Sequence, residues 1–196
     1  MSASPLLVSA CSDGIVCVIG AGYVGLTTAV GLAENGRHVR LVEIDETRLQ
    51  LLREGRAPIH EPGLDEVLAR VLRSGHLQVV QDIAEGMDRA GIAIIAVGTP
   101  PTVDGEADLR QVERALAQAT AAAAEGAVLV IKSTVPPGTT ARLSAGRRRG
   151  RGTPPVVMCP EFLREGSALE DLRRPARLVV GGDDRQACAR VAELFR

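Results

Sequence analysis

The sequence predicts an α/β fold in which a doubly wound parallel sheet carries helices on both faces. Short apolar runs alternate with helix-like segments along most of the chain, as in proteins whose parallel strands are joined by helices. Two of these runs, Ile92 to Val97 and Val128 to Ile131, are apolar without alternation, which is typical of strands buried on both faces. A glycine-rich turn also follows the first apolar run, where such folds pass from strand to helix.

The first part of the chain is expected to form β-α-β units after a loose N-terminal extension over residues 1–13. In order, the predicted elements are a strand over 14–19, a helix over 23–35, a strand over 39–43, a helix from Asp45 to Arg53, a turn-rich loop over 55–64, a helix ending near Arg73 and a strand over 77–80. Asp45 is expected to be an N-cap, because its side chain can accept a hydrogen bond from the first helical turn.

The second part continues this alternation without a linker, so residues 14–196 are expected to form one domain. The predicted elements are a strand over 92–97, a helix from Asp108 to about Glu125, a strand over 128–131, a helix over 138–146, a basic loop over 147–155, strands over 156–158 and 178–180, and a helix that begins at Asp184 and continues to the last residue. Asp residues again mark the helix starts.

The glycine-rich turn, Gly20-Ala21-Gly22-Tyr23-Val24-Gly25, has the spacing of a dinucleotide-binding fingerprint. Gly20 permits the tight turn, Gly22 lets a pyrophosphate approach the backbone, and Gly25 lets the helix pack close to the sheet. The helix N-terminus offers free N–H groups and the positive end of its dipole to phosphates. The alternative is a glycine-rich turn without a ligand, but the strand before the turn and the helix after it favour the fingerprint.

Glu43 supplies the acidic residue of this fingerprint, since it ends the second apolar run about 20 residues after the turn. Its carboxylate would accept hydrogen bonds from the ribose hydroxyl groups of a dinucleotide. It would also repel a 2′-phosphate, so the expected cofactor is NAD rather than NADP.

The composition argues against several other classes of protein. The net charge of −1 and the aromatic content of 2% argue against a nucleic-acid partner or a membrane surface. No apolar run is long enough to span a bilayer. The cysteines form no C-x-x-C pair and no histidine lies at zinc-ligand spacing, so no metal is expected. The thiols are expected to be reduced, as in the cytoplasm.

Polar or flexible residues follow five of the predicted strands. They are the glycine turn, Glu43, Thr99, Ser133-Thr134 and the segment 161–165. Ligands of doubly wound sheets bind beyond the carboxyl ends of the strands. The sequence therefore predicts a single site at that edge of the sheet.

Four motifs, in the same order along the chain, resemble the nucleotide-sugar dehydrogenases, the UDP-glucose and GDP-mannose dehydrogenase family. They are Gly20 to Leu26, Pro58 to Leu64 (Pro-Ile-His-Glu-Pro-Gly-Leu), Ser133 to Thr139 (Ser-Thr-Val-Pro-Pro-Gly-Thr) and Pro160 to Ala168 (Pro-Glu-Phe-Leu-Arg-Glu-Gly-Ser-Ala). The last motif is the most specific. The resemblance implies a Rossmann-like NAD-binding domain. It also implies oxidation of a sugar C6 alcohol to a carboxylate in two NAD-dependent steps, through an aldehyde and a cysteine-bound thioester.

The resemblance also implies roles for individual residues. The implied NAD contacts are Gly20, Ala21, Gly22, Tyr23, Val24, Gly25, Glu43, Arg48, Thr99, Ser133, Thr134 and Glu165, and the implied substrate contacts are Glu161, Phe162, Leu163, Arg164 and Glu165. Glu161 resembles the general base that activates water against the thioester, Thr134 is implied to order water near the reacting carbon, and Glu165 to lie near the nicotinamide. The family usually has Asp where this chain has Glu43, which keeps the charge.

Glu161 and Glu165 are four residues apart, a spacing that would place both carboxylates on one face of a helix. Without the resemblance, an acidic first turn stabilised by the helix dipole would be the preferred interpretation. With the resemblance, a catalytic site is preferred. Lys132, the single lysine of the chain, is interpreted as a chance occurrence, and Cys159 as a small buried hydrophobic residue.

Members of the family are about twice as long as this chain. The half that this chain lacks carries the nucleophilic cysteine, the lysine and asparagine that bind and polarise the substrate, and the long helix through which the family dimerises. The chain is therefore expected to be the N-terminal NAD-binding half, cut from a longer enzyme or encoded as a truncated gene, and to be inactive alone.

Oxidation of UDP-glucose to UDP-glucuronate is the first expectation, GDP-mannose is the second substrate considered, and UDP-N-acetylmannosamine is third. Two further alternatives are an NAD-binding module without catalytic activity and a dehydrogenase of the 3-hydroxyacid type. The retained Glu161 and Glu165 argue against the first alternative. The second leaves the motif from Pro160 to Gly166 unexplained.

Overall fold

A sheet of six parallel strands runs through residues 14–146 and 152–196, which are those that the structure, a computed structural model, describes. The strands are β1 (Ile15–Ile19), β2 (Val39–Val42), β3 (Leu77–Val80), β4 (Ala90–Ile95), β5 (Val128–Ile131) and β6 (Val156–Met158). They lie in the order β3-β2-β1-β4-β5-β6, which is typical of dinucleotide-binding sheets. The predicted fold class is therefore confirmed. The predicted N-terminal extension and part of the predicted basic loop lie outside the described residues.

Helices cover both faces of this sheet. They are α1 (Tyr23–Glu34), α2 (Glu46–Arg53), α3 (Leu64–Arg73), α4 (Ile83–Met87), α5 (Arg110–Ala122), α6 (Thr139–Ala145), α7 (Ala168–Arg173) and α8 (Arg185–Leu194). Buried side chains of α1, α2, α3, α7 and α8 form one core, and those of α4 and α5 form a second core on the opposite face. None of the helices in the described residues is long and apolar enough to cross a membrane.

The two strands whose sequences are apolar without alternation, β4 and β5, are buried on both faces, as predicted. Val128 and Val130 of β5 belong to the first core, whereas Leu129 and Ile131 belong to the second. Because successive side chains of a strand point to opposite faces, a strand between two helical layers must be apolar at every position.

Two of the predicted helix caps are confirmed. The Asp45 carboxylate accepts a hydrogen bond from the N–H of Arg48 at 2.8 Å, and the Asp184 carboxylate accepts one from Ala187 at 2.9 Å. Asp108 differs slightly, because α5 begins at Arg110 and its N-cap is Leu109. The Asp108 carboxylate still accepts the N–H of Arg110 at 3.0 Å.

The predicted strand over 178–180 is wrong. Leu178 and Val179 are 38% and 46% exposed, and only Gly181 pairs with the sheet, through an isolated antiparallel bridge to Met158. The apolar composition of the segment suggested a strand, but β6 is three residues long and offers little edge to pair with. The short helices α4 and α7 were not predicted, because five or six residues are too few to display a helical period.

Helix α1 is deeply enclosed beside the glycine turn, and glycines allow that enclosure. Every residue from Gly25 to Ala33 is buried. A Cβ atom at Gly25 would lie 1.8 Å from the carbonyl oxygen of Gly20, and one at Gly31 would lie 2.0 Å from Cδ2 of Leu172 in α7. The backbone of α1 therefore approaches both the β1 turn and α7 more closely than any other residue type would permit.

Replacing Gly25 with alanine should destabilise the fold, because the new Cβ would meet a backbone oxygen that cannot move aside alone. We expect Gly25→Ala to lower the free energy of unfolding by about 1–3 kcal/mol or more, as overpacking does in other cores. Urea denaturation of the purified chain measures this change.

The matched control is Gly22→Ala in the same turn. A Cβ at Gly22 would meet no atom within 4 Å, and its φ of −68° suits any residue. We expect the unfolding free energy of this variant to stay within about 0.5 kcal/mol of the unaltered chain. Equal effects of the two substitutions would contradict the close approach described for α1.

Candidate functional site

The glycine turn connects β1 to α1 beside the end of β4. Gly20 has a φ of +99°, and a Cβ there would lie 2.8 Å from the carbonyl oxygen of Ala96. Both the left-handed backbone and the crowding require glycine. Since β1 and β4 are the strands at which the order of the sheet reverses, the turn lies at the position where doubly wound sheets bind ligands.

The N-terminus of α1 is open at this point. Gly22 is its N-cap, and no side chain caps the helix. The space beside the Gly22 Cα is open, since a methyl group placed there would meet no atom within 4 Å among the described residues beyond its chain neighbours. The first N–H groups of a helix have no partner within the helix. Those of Tyr23, Val24 and Gly25 are therefore available to a phosphate or another anion.

Glu43 and Arg48 are brought to the same turn. Glu43 is buried, and its Oε1 accepts a hydrogen bond from the N–H of Asp45 at 2.9 Å. Nε of Arg48 lies 3.4 Å from Oε2 of Glu43, within ion-pair distance but without hydrogen-bond geometry. Nη2 of Arg48 donates to the carbonyl oxygen of Ala21 at 2.6 Å. The predicted acidic residue is thus linked to the glycine turn through the predicted Arg48.

Thr99, Ser133 and Thr134 also lie together, at the ends of β4 and β5. The Thr99 hydroxyl donates to the carbonyl oxygen of Thr134 at 2.9 Å, and the buried Ser133 hydroxyl donates to the carbonyl oxygen of Val97 at 2.7 Å. These bonds fix the two loops against each other. Thr134 is exposed at the edge of the sheet where the glycine turn also lies.

Glu61 is a site residue that the sequence analysis did not identify. Its Oε2 accepts hydrogen bonds from the Tyr23 hydroxyl at 2.5 Å and from the N–H of Gly166 at 2.8 Å, and its Oε1 accepts one from Ala168 at 2.8 Å. The side chain is 6% exposed. One buried carboxylate therefore joins the start of α1, the loop before α3 and the loop before α7.

The bonds to Glu61 also affect the titration of both partners. Burial alone would raise the pKa of Glu61, but the hydrogen bonds from Tyr23, Gly166 and Ala168 outweigh burial and lower it. Burial and the hydrogen bond to Glu61 raise the pKa of the Tyr23 hydroxyl above its usual value. Glu61 is thus a buried anion and Tyr23 a neutral donor at physiological pH.

The segment 161–165 is a loop, so the expectation that Glu161 and Glu165 share a helical face is wrong. Helix α7 begins only at Ala168. Amide groups of this loop donate to side chains instead of to helical carbonyl groups, since Leu163 donates to the Glu161 carboxylate at 2.6 Å and Arg164 to Asp171 at 2.9 Å. The interpretation as an acidic first helical turn is wrong for the same reason.

The other members of this loop have separate surroundings. The Arg164 guanidinium group forms an ion pair with Asp171 at 2.7 Å, and its carbonyl oxygen lies 3.0 Å from the Tyr23 hydroxyl. Phe162 is 43% exposed and its ring lies under the guanidinium group of Arg177, at 4.5 Å. Glu165 is exposed and contributes to the raised pKa of Tyr23, which places its charge near the start of α1.

Lys132 lies near Glu161 of this loop and is buried, with 4% exposure. Burial lowers the pKa of its ammonium group, and the neighbouring Cys159 and Glu161 oppose that effect. The sequence analysis set Lys132 aside. The sequence feature that could have singled out Lys132 is that it is the one lysine in a chain that otherwise uses arginine.

Removing the charge of Glu61 should loosen the three segments that it joins. We expect Glu61→Gln to lower the free energy of unfolding by about 1–3 kcal/mol, because an amide group cannot accept all three hydrogen bonds. The matched control is Glu125→Gln, which changes an exposed loop carboxylate and should cost less than about 0.5 kcal/mol.

Comparison of the unaltered chain with Glu61→Gln at different pH values tests the ionisation of Glu61. A carboxyl with a lowered pKa in the folded state stabilises the fold above its unfolded pKa and loses this effect as the pH falls through the folded value. The difference in unfolding free energy between the unaltered chain and Glu61→Gln should therefore shrink below about pH 4. A difference that stays constant from neutral pH to acid would contradict an ionised Glu61.

Curated proteins with sequences similar to this chain are UDP-glucose 6-dehydrogenases. The protein from Pseudomonas aeruginosa is 45% identical over 186 residues, which is 92% of this chain and 41% of that protein. YwqF from Bacillus subtilis is 39% identical over 184 residues, which is 92% of this chain and 42% of that protein. The chain thus spans about two fifths of the length of these relatives.

Solved structures show the same relationship. A UDP-glucose dehydrogenase from Pyrobaculum islandicum superimposes with a TM-score of 0.85 at 40% identity, over 97% of this chain and 45% of that one. A GDP-mannose dehydrogenase from Pseudomonas aeruginosa gives a TM-score of 0.85 at 31% identity, over 92% of this chain and 44% of that one.

The family model for the NAD-binding domain of these enzymes matches residues 15–196, which include every strand and helix described above. The match agrees with the expected cofactor, NAD, and with the open glycine turn at the reversal of the strand order. This chain belongs to the UDP-glucose/GDP-mannose dehydrogenase family and comprises its NAD-binding domain.

Proposed function

We propose that this chain is the NAD-binding part of an enzyme that oxidises the C6 alcohol of a nucleotide sugar to the uronic acid. UDP-glucose, giving UDP-glucuronate, is the proposed substrate. The observation that carries this proposal is the 45% identity to a UDP-glucose 6-dehydrogenase over 92% of this chain, and the open glycine turn supports it. GDP-mannose is the second candidate, supported by the 31% identity to a GDP-mannose dehydrogenase of the same fold.

The residues around the glycine turn fit a dinucleotide. The open space at Gly22 would admit a pyrophosphate to the N–H groups of α1. Glu43 would accept the ribose hydroxyl groups and disfavour a 2′-phosphate, and Arg48 holds that carboxylate beside the turn. When bound, NAD supplies the hydride acceptor for each oxidation step.

The loop after β6 is proposed to act on the sugar. Glu161 would be the base that activates water for thioester hydrolysis, and its carboxylate is oriented by the N–H of Leu163. Phe162, Leu163, Arg164 and Glu165 would contact the sugar end of the substrate, with Glu165 also near the nicotinamide. Thr134, held by Thr99, would order water near the reacting carbon.

We infer that the chain does not complete this reaction alone, because its described cysteines are poor nucleophiles. Burial raises the pKa of Cys17 to about 12 and raises the pKa values of Cys159 and Cys188. A thiol must be ionised to attack an aldehyde. The nucleophilic cysteine is proposed to come from the part of the relatives that this chain does not span, as is the dimer interface. Free thiols fit a reducing compartment, so the proposed location is the cytoplasm.

Binding of NAD should raise the melting temperature of the purified chain, whereas NADP should raise it much less. A ligand at about 100 times its Kd stabilises a protein by about 2.7 kcal/mol. Glu43→Gln should narrow the difference between the two dinucleotides, because it removes the charge that repels the 2′-phosphate. Differential scanning fluorimetry measures all of these shifts.

Gly22→Ala is the control for this experiment, since its Cβ fits the free fold but occupies the proposed pyrophosphate position. We expect it to melt like the unaltered chain and to lose the shift with NAD. A clean transition that NAD does not move in the unaltered chain would refute the dinucleotide site.

Turnover is tested separately. The chain mixed with NAD and UDP-glucose should produce no steady increase in NADH absorbance, while a protein extended to the full length of its relatives should produce one. Sustained NADH production by the chain alone would overturn the inference that it needs a further cysteine.

The role of Glu161 is tested in the extended protein. There, Glu161→Gln should allow an initial burst of NADH and then stall, since hydrolysis of the thioester is the step that needs the base.

A further inference from the structure

A cavity of about 440 Å³ lies between the loop after β6 and the segment that follows α7. Lys132 lines it, together with Phe162, Phe195, Arg164 and Arg177. These include the single lysine and both phenylalanines of the chain. The other lining side chains are Asp171 and several apolar residues, among them prolines and leucines. The cavity is therefore a largely apolar space whose wall carries three positive groups and one negative group.

The ammonium group of Lys132 is not paired with an anion in this cavity. It forms no hydrogen bond or ion pair with residues 14–146 or 152–196, and its Nζ lies 5.1 Å from the centroid of the Phe195 ring. Glu161 attracts it only from beyond ion-pair distance. The side chain is 4% exposed. Because burying an ammonium group without a counter-ion is costly, burial lowers the pKa of Lys132.

The two arginines that line the cavity differ in whether an anion pairs with them. Arg164 is neutralised by Asp171, through an ion pair at 2.7 Å. Arg177 stacks on Phe162 and has no ion pair with any residue in the described ranges. The cavity thus has two positive groups without a directly bound counter-ion, and the buried one is Lys132.

We propose that this cavity is a binding site for a carboxylate attached to an apolar body, with Lys132 as its ion-pair partner. A carboxylate carries one negative charge and so matches the one buried ammonium group, because Arg177 is exposed and its charge stays hydrated. Phe162 and Phe195 would pack against the apolar body. The carboxylate could belong to a free organic acid or to an acidic side chain of a polypeptide, because both present the same group.

This proposal goes beyond the proposed function in its ligand, which is neither NAD nor a nucleotide sugar, although Phe162, Leu163 and Arg164 line the cavity and are also proposed to contact the sugar. Its test uses the purified chain without either. Phenylacetate and its neutral isostere phenylacetamide are titrated separately, and binding is followed by NMR shifts of the backbone amides of residues 161–164, 172–174 and 176–178. We expect phenylacetamide to bind about tenfold more weakly than phenylacetate, since it lacks the charge that Lys132 would pair with.

A second arm distinguishes the two sources of the carboxylate. N-acetylglutamate methylamide, which presents an acidic side chain on a backbone, is compared with its glutamine analogue. Tighter binding of the glutamate compound than of phenylacetate indicates a polypeptide side chain, and the reverse order indicates a free acid. Equal affinities for the acids and their amides in both pairs would overturn the proposal.

Lys132→Met tests the role of the ammonium group. The variant should lose the preference for acids over amides. It should also melt about 2–4 °C higher than the unaltered chain without ligand, because an apolar side chain of similar size replaces an unpaired buried charge. Arg114→Met, which removes a positive charge from α5, far from the cavity lining, should change neither property. If Lys132→Met does not fold, the comparison of acids with amides on the unaltered chain still decides the proposal.

Discussion

The close approach of two backbone segments, at Gly20 and Gly25, is the constraint on which the rest of the site depends. A single methyl group at Gly25 would lie 1.8 Å from the carbonyl oxygen of Gly20. This contact brings the N-terminus of α1 to the carboxyl end of β1, and it lets α1 lie buried between the sheet, α3 and α7. Arg48 of α2 donates a hydrogen bond to the carbonyl oxygen of Ala21 and lies within ion-pair distance of Glu43. The glycine turn is therefore positioned by packing of the backbone, whereas Glu43 and Arg48 are held beside it by contacts of their own side chains.

Glu61 extends this rigid centre to the loop that carries the substrate-binding candidates. Its carboxylate holds Tyr23 of α1 on one side and the amides of Gly166 and Ala168 on the other. Burying a carboxylate is costly unless hydrogen bonds satisfy it, and here three donors do so. The proposed cofactor site and the proposed substrate loop thus share one anionic group, so a movement of either must be accommodated by the other.

Local patterns were sufficient to predict most of the fold, because the strands lie between two helical layers and are apolar throughout. The caps at Asp45 and Asp184 were predictable for the same reason, since each acts within three residues of itself. The strand over 178–180 was predicted wrongly, because an apolar composition does not show whether a partner strand has a free edge. Glu61 and Lys132 could not be assigned from the sequence, because their importance comes from groups that lie far away along the chain.

The hydrogen bonds of Glu61 and Tyr23 also bear on the order in which the chain folds. Tyr23 and Arg164 are 141 residues apart, and Glu61 and Gly166 are 105 residues apart. Contacts between such distant residues carry a large loop-closure cost, and they become favourable only after the intervening strands have paired. The loop over 160–167 should therefore be among the last segments to become ordered and among the first to open in partial unfolding. The part of the molecule proposed to act on the sugar is then also among the parts with the lowest local stability.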